Sequence, residues 1–519
     1  MNDIRAHILW VDDEIDHLKP HIMYLEDKGY KMTTVTNGHD AVELVTKFRY
    51  DIILMDQFMP GMDGLETLRR IKEIRDTIPI ILITKSEEEW LMDEAISEKV
   101  DAFLVKPVKP TQIFIAAKKI LESTKILEEK ATSGYLKEFQ EIEFKLQEQL
   151  SINDWWELYN KLVKWQLEFD EHKDTGLGNI LEEQLQTSNR EFIHFINSNY
   201  TDWLASENRP RMTVDLIPDK VIPHLKQGEK VCFILVDSMR HDHLISVLPE
   251  LQKHFNVEID FATSILPSAT PFSRNAIFSG LFPDDILKKY PQQRKDMENH
   301  AASLNQHEKD MLKDQLKRHG LSDKSLHYHK IWHVDEGKRF ASRMAEFMKV
   351  DLLSIVINFV DILAHKRSES DVLKEMLPDE SGYRSAVKTW FDNSWFSEVI
   401  KQLSQSNYKI ILTSDHGSIR VNRGVMVGAD KDTSSGIRYK YGRNLNCKER
   451  SALVIKNPKD YRLPEFGTQT NYLIAKDDIY FVYPTQQHKY EAMYKGSFQH
   501  GGISLEELFV PVVTMSSRK

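Results

Sequence analysis

Short apolar runs that end beside a polar residue restrict the fold of this chain more than any other feature. In the first part of the sequence they alternate with amphipathic stretches such as Gly64–Ile74, in which apolar residues recur with a helical period. Short strands that alternate with helices indicate a parallel, doubly wound α/β sheet. The predicted strands are His7–Val11, Lys31–Val35, Asp51–Met55, Ile78–Ile83 and Asp101–Val105.

Polar residues follow these strands, at the sheet edge where α/β proteins gather their functional groups. They are Asp12, Asp13, Asp56, Thr84 and Lys106. Carboxylates that share one pocket repel one another, so a hard divalent cation such as Mg²⁺ is needed between them. Asp56 then faces that cation and the Lys106 ammonium, whose charges can stabilise an incoming phosphoryl group and the acyl phosphate that it forms. We expect Thr84 to bond a phosphoryl oxygen.

The order of these residues, together with the run Met55–Gly64, resembles the receiver domain of two-component response regulators over residues 7–120. The resemblance implies a flavodoxin-like receiver, assigned to residues 1–122. It also implies Asp56 as the phosphoacceptor, Mg²⁺ as the cofactor and a sensor histidine kinase as a partner. A flavodoxin-like domain with unrelated acids at its strand ends is the alternative. The matching residue types, in the same order, disfavour it.

Residues 123–206 are rich in Glu, Lys, Gln and Leu, and their apolar residues recur at helical spacing. We predict a bundle of about three helices that acts as a linker for transmission or dimerisation. Its aromatic stripe around Trp155 and Trp165 is interpreted as core packing. No basic recognition helix is evident and the net charge is −10, so direct DNA binding is disfavoured.

The remaining residues, 207–519, repeat the pattern of strands that end in acids. The predicted strands and the residues after them are Val231–Val236 with Asp237, Leu352–Val360 with Asp361, and Tyr408–Ser414 with Asp415 and His416. His365 follows Asp361 by one helical turn, which suits a pair of metal ligands. His500 precedes a helix start near the end of the sequence. These segments predict a second α/β sheet with polar side chains at its edge.

A stretch between these strands, Ser264–Asn275, supplies a candidate nucleophile, Thr270, and a cation, Arg274. The candidate ligand set is Asp237, Thr270, Asp361, His365, Asp415, His416 and His500. Carboxylates and imidazoles together suit two Zn²⁺ ions, with Mn²⁺ as the second choice. Two ions in one site clamp a phosphoryl group and activate a hydroxyl that is weakly nucleophilic when free. We expect Arg274 to fork two phosphoryl oxygens.

Each of these residues also has a plain structural interpretation. An Asp at a strand end usually caps a turn, and a lone His usually lies hydrogen-bonded at the surface. The other histidines, interpreted as solvated or supporting residues, are His241, His243, His327, His329 and His333. The complete set in this order is a stronger signal for a metal site than any single member.

The order and spacing resemble the alkaline phosphatase superfamily. The resemblance implies one metal held by Asp361, His365 and His500, and a second held by Asp237, Asp415, His416 and Thr270. Sulfatases carry Cys or Ser where this chain has Thr270, and a secondary alcohol cannot yield their formylglycine, so sulfatase activity is disfavoured. Nucleotide phosphodiesterases commonly use Thr but place Asn where this chain has Ser273. That departure leaves the preference for monoesters or diesters open.

A receiver, a helical linker and this domain in one chain resemble PorX-type response regulators, which carry a PglZ effector domain and are tied to type IX secretion in Bacteroidetes. The resemblance implies a zinc-dependent phosphodiesterase that acts on nucleotides or short oligonucleotides. It also implies control of secretion gene expression, and we expect phosphorylation of Asp56 to shift the receiver toward a homodimer. The alternative is an interaction protein that binds a transcription (sigma) factor, with catalysis incidental.

Two segments are expected to shape the substrate pocket. Leu281–Phe347 is charged and is predicted to form a helical cap. Ile419–Arg450 interleaves Tyr439 and Tyr441 with basic residues, so it either holds the phosphates and bases of a short oligonucleotide or is a solvated loop. Its basic residues are Arg420, Arg423, Lys431, Arg438, Lys440, Arg443, Lys448 and Arg450.

The two cysteines, Cys232 and Cys447, fit a reducing compartment and lack metal-ligand spacing. No apolar run approaches the ~20 residues that a membrane-spanning helix needs, and no signal peptide pattern is visible. We therefore expect a cytoplasmic protein without a membrane partner.

Overall fold

The computed structural model describes residues 6–518, apart from 76, 86–99, 172–176, 300–302, 429–433, 435, 449, 468 and 484–486, and it describes the side chains of these residues except at 122–133, 487 and 489. The chain forms two compact units, Met1–Leu136 and Lys137–Lys519.

The first unit contains a five-stranded parallel sheet in the order β2-β1-β3-β4-β5. Its strands are β1 (Ala6–Val11), β2 (Tyr30–Val35), β3 (Ile52–Asp56), β4 (Ile80–Thr84) and β5 (Ala102–Val105). The helices between them are Ile15–Leu18, which is 3₁₀, and Lys19–Asp27, Gly38–Lys47 and Gly64–Ile74. Asn37 and Asp63 begin two of these helices, because their side chains accept hydrogen bonds from backbone N–H groups of the first turn.

Alternate residues of the strands belong to two separate apolar cores, one on each face of the sheet. Ile8 and Trp10 of β1 belong to one core, and Leu9 and Val11 belong to the other. A strand that is buried on both faces carries apolar residues at successive positions. For this reason the strands stand out as continuous apolar runs in the sequence.

A single helix, Pro110–Lys145, follows β5 and runs through residue 122 without a break. The chain contains neither Pro nor Gly between residues 111 and 133, so nothing local ends the helix there. The boundary expected at residue 122 therefore falls inside a helix. The helices Ile152–Glu171 and Gly178–Ala205 complete the linker.

The aromatic stripe of the linker packs against the sheet of the second unit. Trp156 stacks on Phe261 with ring centroids 4.9 Å apart, and Tyr159 stacks on Phe509 at 5.8 Å. Trp155 is buried against Phe192 within the linker. The interpretation of these aromatic residues as core packing is confirmed.

The second unit is built on a six-stranded mixed sheet in the order β7-β18-β10-β6-β9-β8. Strands β10, β6, β9 and β8 are parallel, whereas β18 is antiparallel to both of its neighbours. The six strands are β6 (Val231–Val236), β7 (Phe255–Thr263), β8 (Leu326–Ile331), β9 (Leu352–Ile357), β10 (Lys409–Thr413) and β18 (Phe509–Ser517). Strand β9 ends earlier than predicted, so Asp361 lies on the helix Phe359–Glu369.

The segment Leu281–Phe347 differs from the all-helical cap that we expected, because β8 inside it joins the main sheet as an edge strand. Four of the six β8 residues are His, Tyr or Lys, so the strand lacks the apolar pattern of the others. His327 of β8 stacks on Phe347 at 4.3 Å. His241 and His243 were interpreted as solvated or supporting residues; both are buried, so the first alternative is wrong for them.

The other elements surround this sheet. The small strands are β11 (Ile419–Arg420), β12 (Arg423–Met426), β13 (Tyr439–Gly442), β14 (Ala452–Ile455), β15 (Asn471–Ala475), β16 (Ile479–Val482) and β17 (Phe498–Gln499). The α-helices are Leu216–Lys220, Ile222–Lys226, His241–His254, Thr270–Ser279, Pro283–Lys289, Pro291–Glu298, Glu308–Arg318, Val334–Ser342, Met344–Phe347, Phe359–Glu369, Asp371–Met376, Glu380–Asn393, Trp395–Ser404, Gln487–Tyr494 and Leu505–Leu508, and the 3₁₀ helices are Thr213–Asp215 and Pro458–Tyr461. Within the described part of the chain, no helix has the length and apolar character needed to cross a membrane.

Candidate metal centres and nucleophile

The receiver pocket lies where β1, β3 and β5 end. Asp12, Asp13 and Asp56 each offer an oxygen within 4.8 Å of the others. The Lys106 Nζ lies 2.9 Å from an oxygen of Asp12 and 2.9 Å from an oxygen of Asp56. Burial raises the pKa of Asp56, the hydrogen bond from Lys106 opposes the rise, and the Asp12 carboxylate adds to it. The set carries more negative than positive charge, so a divalent cation fits it.

Thr84 lies at the end of β4, next to this pocket. It is fully buried, and its backbone oxygen accepts a hydrogen bond of 2.6 Å from the N–H of Lys106. This bond ties the end of β4 to the residue that contacts Asp56. The expected contact between Thr84 and a phosphoryl oxygen stays a prediction.

In the second unit, one ligand cluster joins Asp361, His365 and His500. The Nε2 atoms of His365 and His500 lie 3.3 Å and 3.4 Å from the same Asp361 oxygen, and 3.4 Å from each other. Asp361 and His365 are one turn apart on their helix, as predicted, and His500 directly follows β17. Burial works against the charged form of Asp361, but the ion pairs with the two imidazoles outweigh it and lower the pKa of Asp361.

A second cluster joins Asp237, Asp415 and His416. Asp237 directly follows β6, and Asp415 lies one residue beyond the end of β10. Because β6 and β10 pair in parallel, the two acids lie side by side. The Nε2 of His416 lies 3.7 Å from an oxygen of each acid. The His416 and His500 rings stack at 4.2 Å, so the two clusters are adjacent.

The second cluster also holds the histidine in a tautomer that suits a metal ligand. The His416 Nδ1 donates to the carbonyl oxygen of Gly417 at 3.0 Å, which leaves the Nε2 lone pair free to bind. Gly417 packs so closely that a Cβ there would collide with the carbonyl oxygen of Glu506. The ligand loop is therefore fixed by the Leu505–Leu508 helix behind it.

The charge of the second cluster points to a cation. Burial raises the pKa of Asp237 to about 7, the neighbouring Asp415 adds to the rise, and Arg274 opposes it. One oxygen of Asp415 is buried and has no hydrogen-bond partner among the described residues. Buried carboxylates of this kind require a cation, and the mixture of carboxylates and imidazoles fits zinc.

Thr270 lies beside this cluster as the first residue of the helix Thr270–Ser279. Its hydroxyl oxygen is 3.0 Å from the Nε2 of His416 and 3.4 Å from an oxygen of Asp237. The hydroxyl faces a cavity of about 430 Å³, which we call the Thr270 pocket. The residues that line it are Asp237, Thr270, Pro271, Arg274, Ser303, Leu304, Asn305, Trp332, Asp361, His365, Gly436, Ile437, Tyr439, Gln499 and His500.

Arg274 bonds to other side chains of the protein, and its expected contact with two phosphoryl oxygens stays a prediction. Its side chain is 1% exposed, and its Nε donates to Glu308 at 2.6 Å. Its Nη1 donates to the second oxygen of Asp237 at 2.6 Å and to Asn358 at 3.0 Å. Arg274 therefore orients Asp237, with its other oxygen toward Thr270. Sequence reasoning missed Glu308 and Asn358, because neither belongs to a recognisable motif.

Ser273 does not face the Thr270 pocket. It is buried, and its hydroxyl lies 2.9 Å from the Thr213 hydroxyl and donates to the carbonyl oxygen of Asp415 at 2.7 Å. The amide that approaches the nucleophile belongs to Asn305, whose Nδ2 donates to the carbonyl oxygen of Thr270 at 3.1 Å. The sequence offered no signal for Asn305.

The basic segment Ile419–Arg450 mostly stabilises the fold. Arg438 forms a buried two-pronged ion pair with Glu507, and the buried Lys440 donates to the carbonyl oxygen of Ser434. Arg423 pairs with Asp477 and Asp478, and Arg420 donates to backbone oxygens. Arg443, Lys448 and Arg450 are exposed, and Lys431 lies outside the described residues. Tyr439 lines the Thr270 pocket, whereas Tyr441 is buried.

The chain matches three known domain families. The family of the BREX system PglZ alkaline phosphatase-like domain matches residues 216–515, more than half of the chain. The chain belongs to this PglZ family. The response regulator receiver domain matches residues 8–118, and the PorX response regulator linker domain matches residues 125–204. These domains, in this order, make the chain a PorX-type response regulator, and the predicted fold class is confirmed.

Curated relatives match about a fifth of this chain. The transcriptional regulatory protein ResD of Bacillus subtilis is 37% identical over 114 residues, which are 22% of this chain and 47% of ResD. SrrA of Staphylococcus aureus is 35% identical over 118 residues, 22% of this chain and 48% of SrrA. The chain thus spans about half the length of these relatives.

Solved structures match a similar share of the chain. The chemotaxis protein CheY4 of Vibrio cholerae is 28% identical with a TM-score of 0.21, and the match covers 22% of this chain and 97% of CheY4. A receiver domain of a histidine kinase from Syntrophus aciditrophicus is 33% identical with a TM-score of 0.21, and covers 23% of this chain and 91% of that domain.

Proposed function

We propose that the PglZ domain of this response regulator is a zinc-dependent phosphodiesterase with Thr270 as its nucleophile, and that it acts on nucleotides or short oligonucleotides. One observation carries the proposal. The Thr270 hydroxyl lies 3.0 Å from His416 and 3.4 Å from Asp237, inside one of two adjacent ligand clusters. A hydroxyl in this position has a defined task in phosphoryl transfer and none in packing.

The candidate ligands form two ion sites. Asp361, His365 and His500 would hold one zinc ion, and Asp237, Asp415 and His416 would hold the other beside Thr270. When bound, the two ions lower the pKa of the attacking hydroxyl and neutralise charge on the phosphoryl oxygens. The Thr270 hydroxyl loses its proton to solvent and its oxygen forms a bond to phosphorus, while the bond to the leaving oxygen breaks and the leaving group departs as its anion. Water then releases the phosphoryl group from Thr270. Arg274 keeps Asp237 aligned throughout.

Replacing the nucleophile tests this proposal. We expect Thr270→Ala to lower the rate of bis(p-nitrophenyl) phosphate hydrolysis by about 10⁴-fold or more, because the attacking oxygen is then missing. Zinc content, measured by elemental analysis, should stay near that of the wild type. Thr270→Ser is the matched control, since it keeps a hydroxyl and should retain measurable turnover. Undiminished hydrolysis by Thr270→Ala would remove Thr270 from the mechanism.

The same variant separates catalysis from binding in cells. Wild-type expression of type IX secretion genes in a strain that carries Thr270→Ala would favour the alternative in which the domain binds a transcription (sigma) factor. Loss of that output would favour catalysis as the signal.

We further propose that a cognate sensor histidine kinase phosphorylates Asp56, with Mg²⁺ held by Asp12, Asp13 and Asp56, and with Thr84 and Lys106 on the phosphoryl group. The charge of the receiver pocket supports this, since Lys106 contacts both Asp12 and Asp56. Phosphorylation would shift the receiver toward a homodimer. Beryllofluoride, a phosphoryl mimic, should raise the sedimenting mass of the wild type about twofold and leave Asp56→Asn unchanged. An unchanged wild type would refute the dimer.

A further inference from the structure

The walls of the Thr270 pocket carry little positive charge. Among the described lining residues, Arg274 is the only Lys or Arg, and it is already bonded to Asp237 and Glu308. The lining away from the candidate metal ligands is apolar or neutral, and includes Trp332 and Tyr439. Substrate affinity beyond the phosphoryl group must therefore come from uncharged contacts along these walls.

Trp332 is the exposed aromatic residue in that lining. It directly follows β8, and 45% of its surface is accessible. Its backbone is fixed, because Glu336 accepts hydrogen bonds from the N–H of Trp332 at 2.9 Å and from that of His333 at 3.3 Å. Tyr439, the other aromatic residue of the lining, packs edge-on against Phe272. Trp332 thus presents an open indole on a rigid support.

A lysine supports the Trp332 ring from the protein side. The Lys330 Nζ lies over the ring, 5.2 Å from its centroid. That ammonium is anchored by the carbonyl oxygen of Asn305 at 2.8 Å and by Glu308 at 3.0 Å. A cation held over one face of the indole fixes the ring and leaves the other face for a ligand. Asn305 also contacts Thr270, so the same contacts connect the ring to the nucleophile.

We propose that Trp332 is a specificity residue, a stacking surface for a nucleobase of the substrate. This inference rests on the proposed phosphodiesterase and names the group that it recognises next to the phosphoryl group. Stacking on an aromatic side chain tolerates every base, because each base has a π face. It also needs no positive charge, which agrees with the lining of the Thr270 pocket.

The test compares two diesters that share a leaving group. We expect Trp332→Ala in the zinc-loaded full chain to lower kcat/KM for the p-nitrophenyl ester of thymidine 5′-monophosphate about tenfold, mainly through KM. Hydrolysis of methyl p-nitrophenyl phosphate should not change, because it has no base. Trp332→Phe keeps a π face and should retain most of the activity on the thymidine ester. Equal losses on both diesters, or no loss on either, would overturn the proposal.

Val334→Ala provides a matched control. Val334 is also exposed, at 53%, and lies two residues from Trp332, but it is not among the residues that line the Thr270 pocket. Both rates should stay at the wild-type value in this variant. A loss equal to that of Trp332→Ala would mean that the whole turn after β8 matters and would overturn a specific role for the indole.

A binding measurement separates this inference from the proposed function. In the zinc-loaded Thr270→Ala background, titration calorimetry should show that Trp332→Ala weakens AMP binding about tenfold and leaves ribose 5-phosphate binding unchanged. If this result holds while the wild type hydrolyses neither diester, the phosphodiesterase proposal fails and the stacking surface stands. If hydrolysis is robust and Trp332 affects neither rate nor binding, the stacking surface alone fails.

Discussion

The receiver pocket and the Thr270 pocket both use the carboxyl ends of parallel strands, and they balance their acids differently. In the receiver pocket a lysine of the chain, Lys106, lies 2.9 Å from two of the three acids. In the Thr270 pocket the nearest described arginine, Arg274, is buried behind Asp237, and the remaining partners are histidines.

This difference separates two kinds of phosphoryl chemistry. A built-in ammonium with one cation suits a carboxylate that accepts a phosphoryl group and holds it for a time. Histidines in two clusters leave the charge of the acids to be balanced by metal ions, which suits a hydroxyl nucleophile and turnover. One chain thus contains a proposed phosphoryl acceptor and a proposed phosphoryl cleavage site that share a sheet architecture and differ in their cations.

The largest effect is expected from the selective removal of zinc, which tests whether the two pockets need different cations. We expect 1,10-phenanthroline to abolish bis(p-nitrophenyl) phosphate hydrolysis, because the histidine clusters then lose their charge balance. Phosphorylation of Asp56 by acetyl phosphate with Mg²⁺ should continue, since oxygen ligands prefer the hard cation. Zinc added back should restore hydrolysis. Loss of both reactions, or of neither, would show that the two pockets do not differ in this way.

A smaller effect is expected from Arg274→Lys, which makes the Thr270 pocket more like the receiver pocket. A lysine provides a point charge and cannot bond Asp237 and Glu308 together as the guanidinium does. We expect kcat/KM for the diester to fall about 10- to 100-fold, the usual range for a residue that orients a metal ligand. Zinc retention during dialysis should fall with it.

The control for this substitution is Arg294→Lys, in an exposed ion pair with Glu298. Exposed pairs contribute little, so activity and zinc content should both stay at the wild-type value. A wild-type kcat/KM in Arg274→Lys would mean that Asp237 needs no such partner.

The smallest effect concerns Glu506, a buried acid on the Leu505–Leu508 helix behind the His416 loop. It is 6% exposed, and the Asn189 amide donates to both of its oxygens. Burial raises the pKa of Glu506 to about 7. Its contribution to stability is therefore complete below an ordinary glutamate pKa of about 4.3 and is lost as the pH rises through about 7.

Glu506→Gln should remove that loss. Relative to the wild type, we expect the variant to gain up to about 3 kcal/mol between pH 5 and pH 8, because each pKa unit corresponds to about 1.4 kcal/mol. Scanning calorimetry at both pH values would show a larger difference in Tm at pH 8. An equal difference at the two pH values would contradict a protonated Glu506 in the folded state.

The sequence predicted best those site residues that lie at or near the end of a buried strand. Asp12, Asp56 and Asp237 each end or directly follow a strand, Asp415 lies one residue further on, and strand pairing brings these acids into clusters. Asp361 and His365 were predicted from the spacing of one helical turn, and the structure joins them with His500. Both signals are local, so the sequence carries them.

The rest depended on contacts between distant segments, which no local pattern records. Glu308 and Asn358 meet Arg274 from separate elements, and these contacts hold the arginine beside Asp237. Strand β8 was missed because an edge strand needs no apolar alternation. The boundary expected at residue 122 fell inside a helix because a change in composition need not interrupt the backbone.

Gly417 has a consequence for anyone who engineers this PglZ domain. Every side chain carries a Cβ, and a Cβ here would push the His416 loop off the carbonyl oxygen of Glu506. A saturation library at this position, selected for activity, should return glycine codons almost exclusively. The range of residues that a library at the neighbouring Ser418 tolerates can be compared with that result.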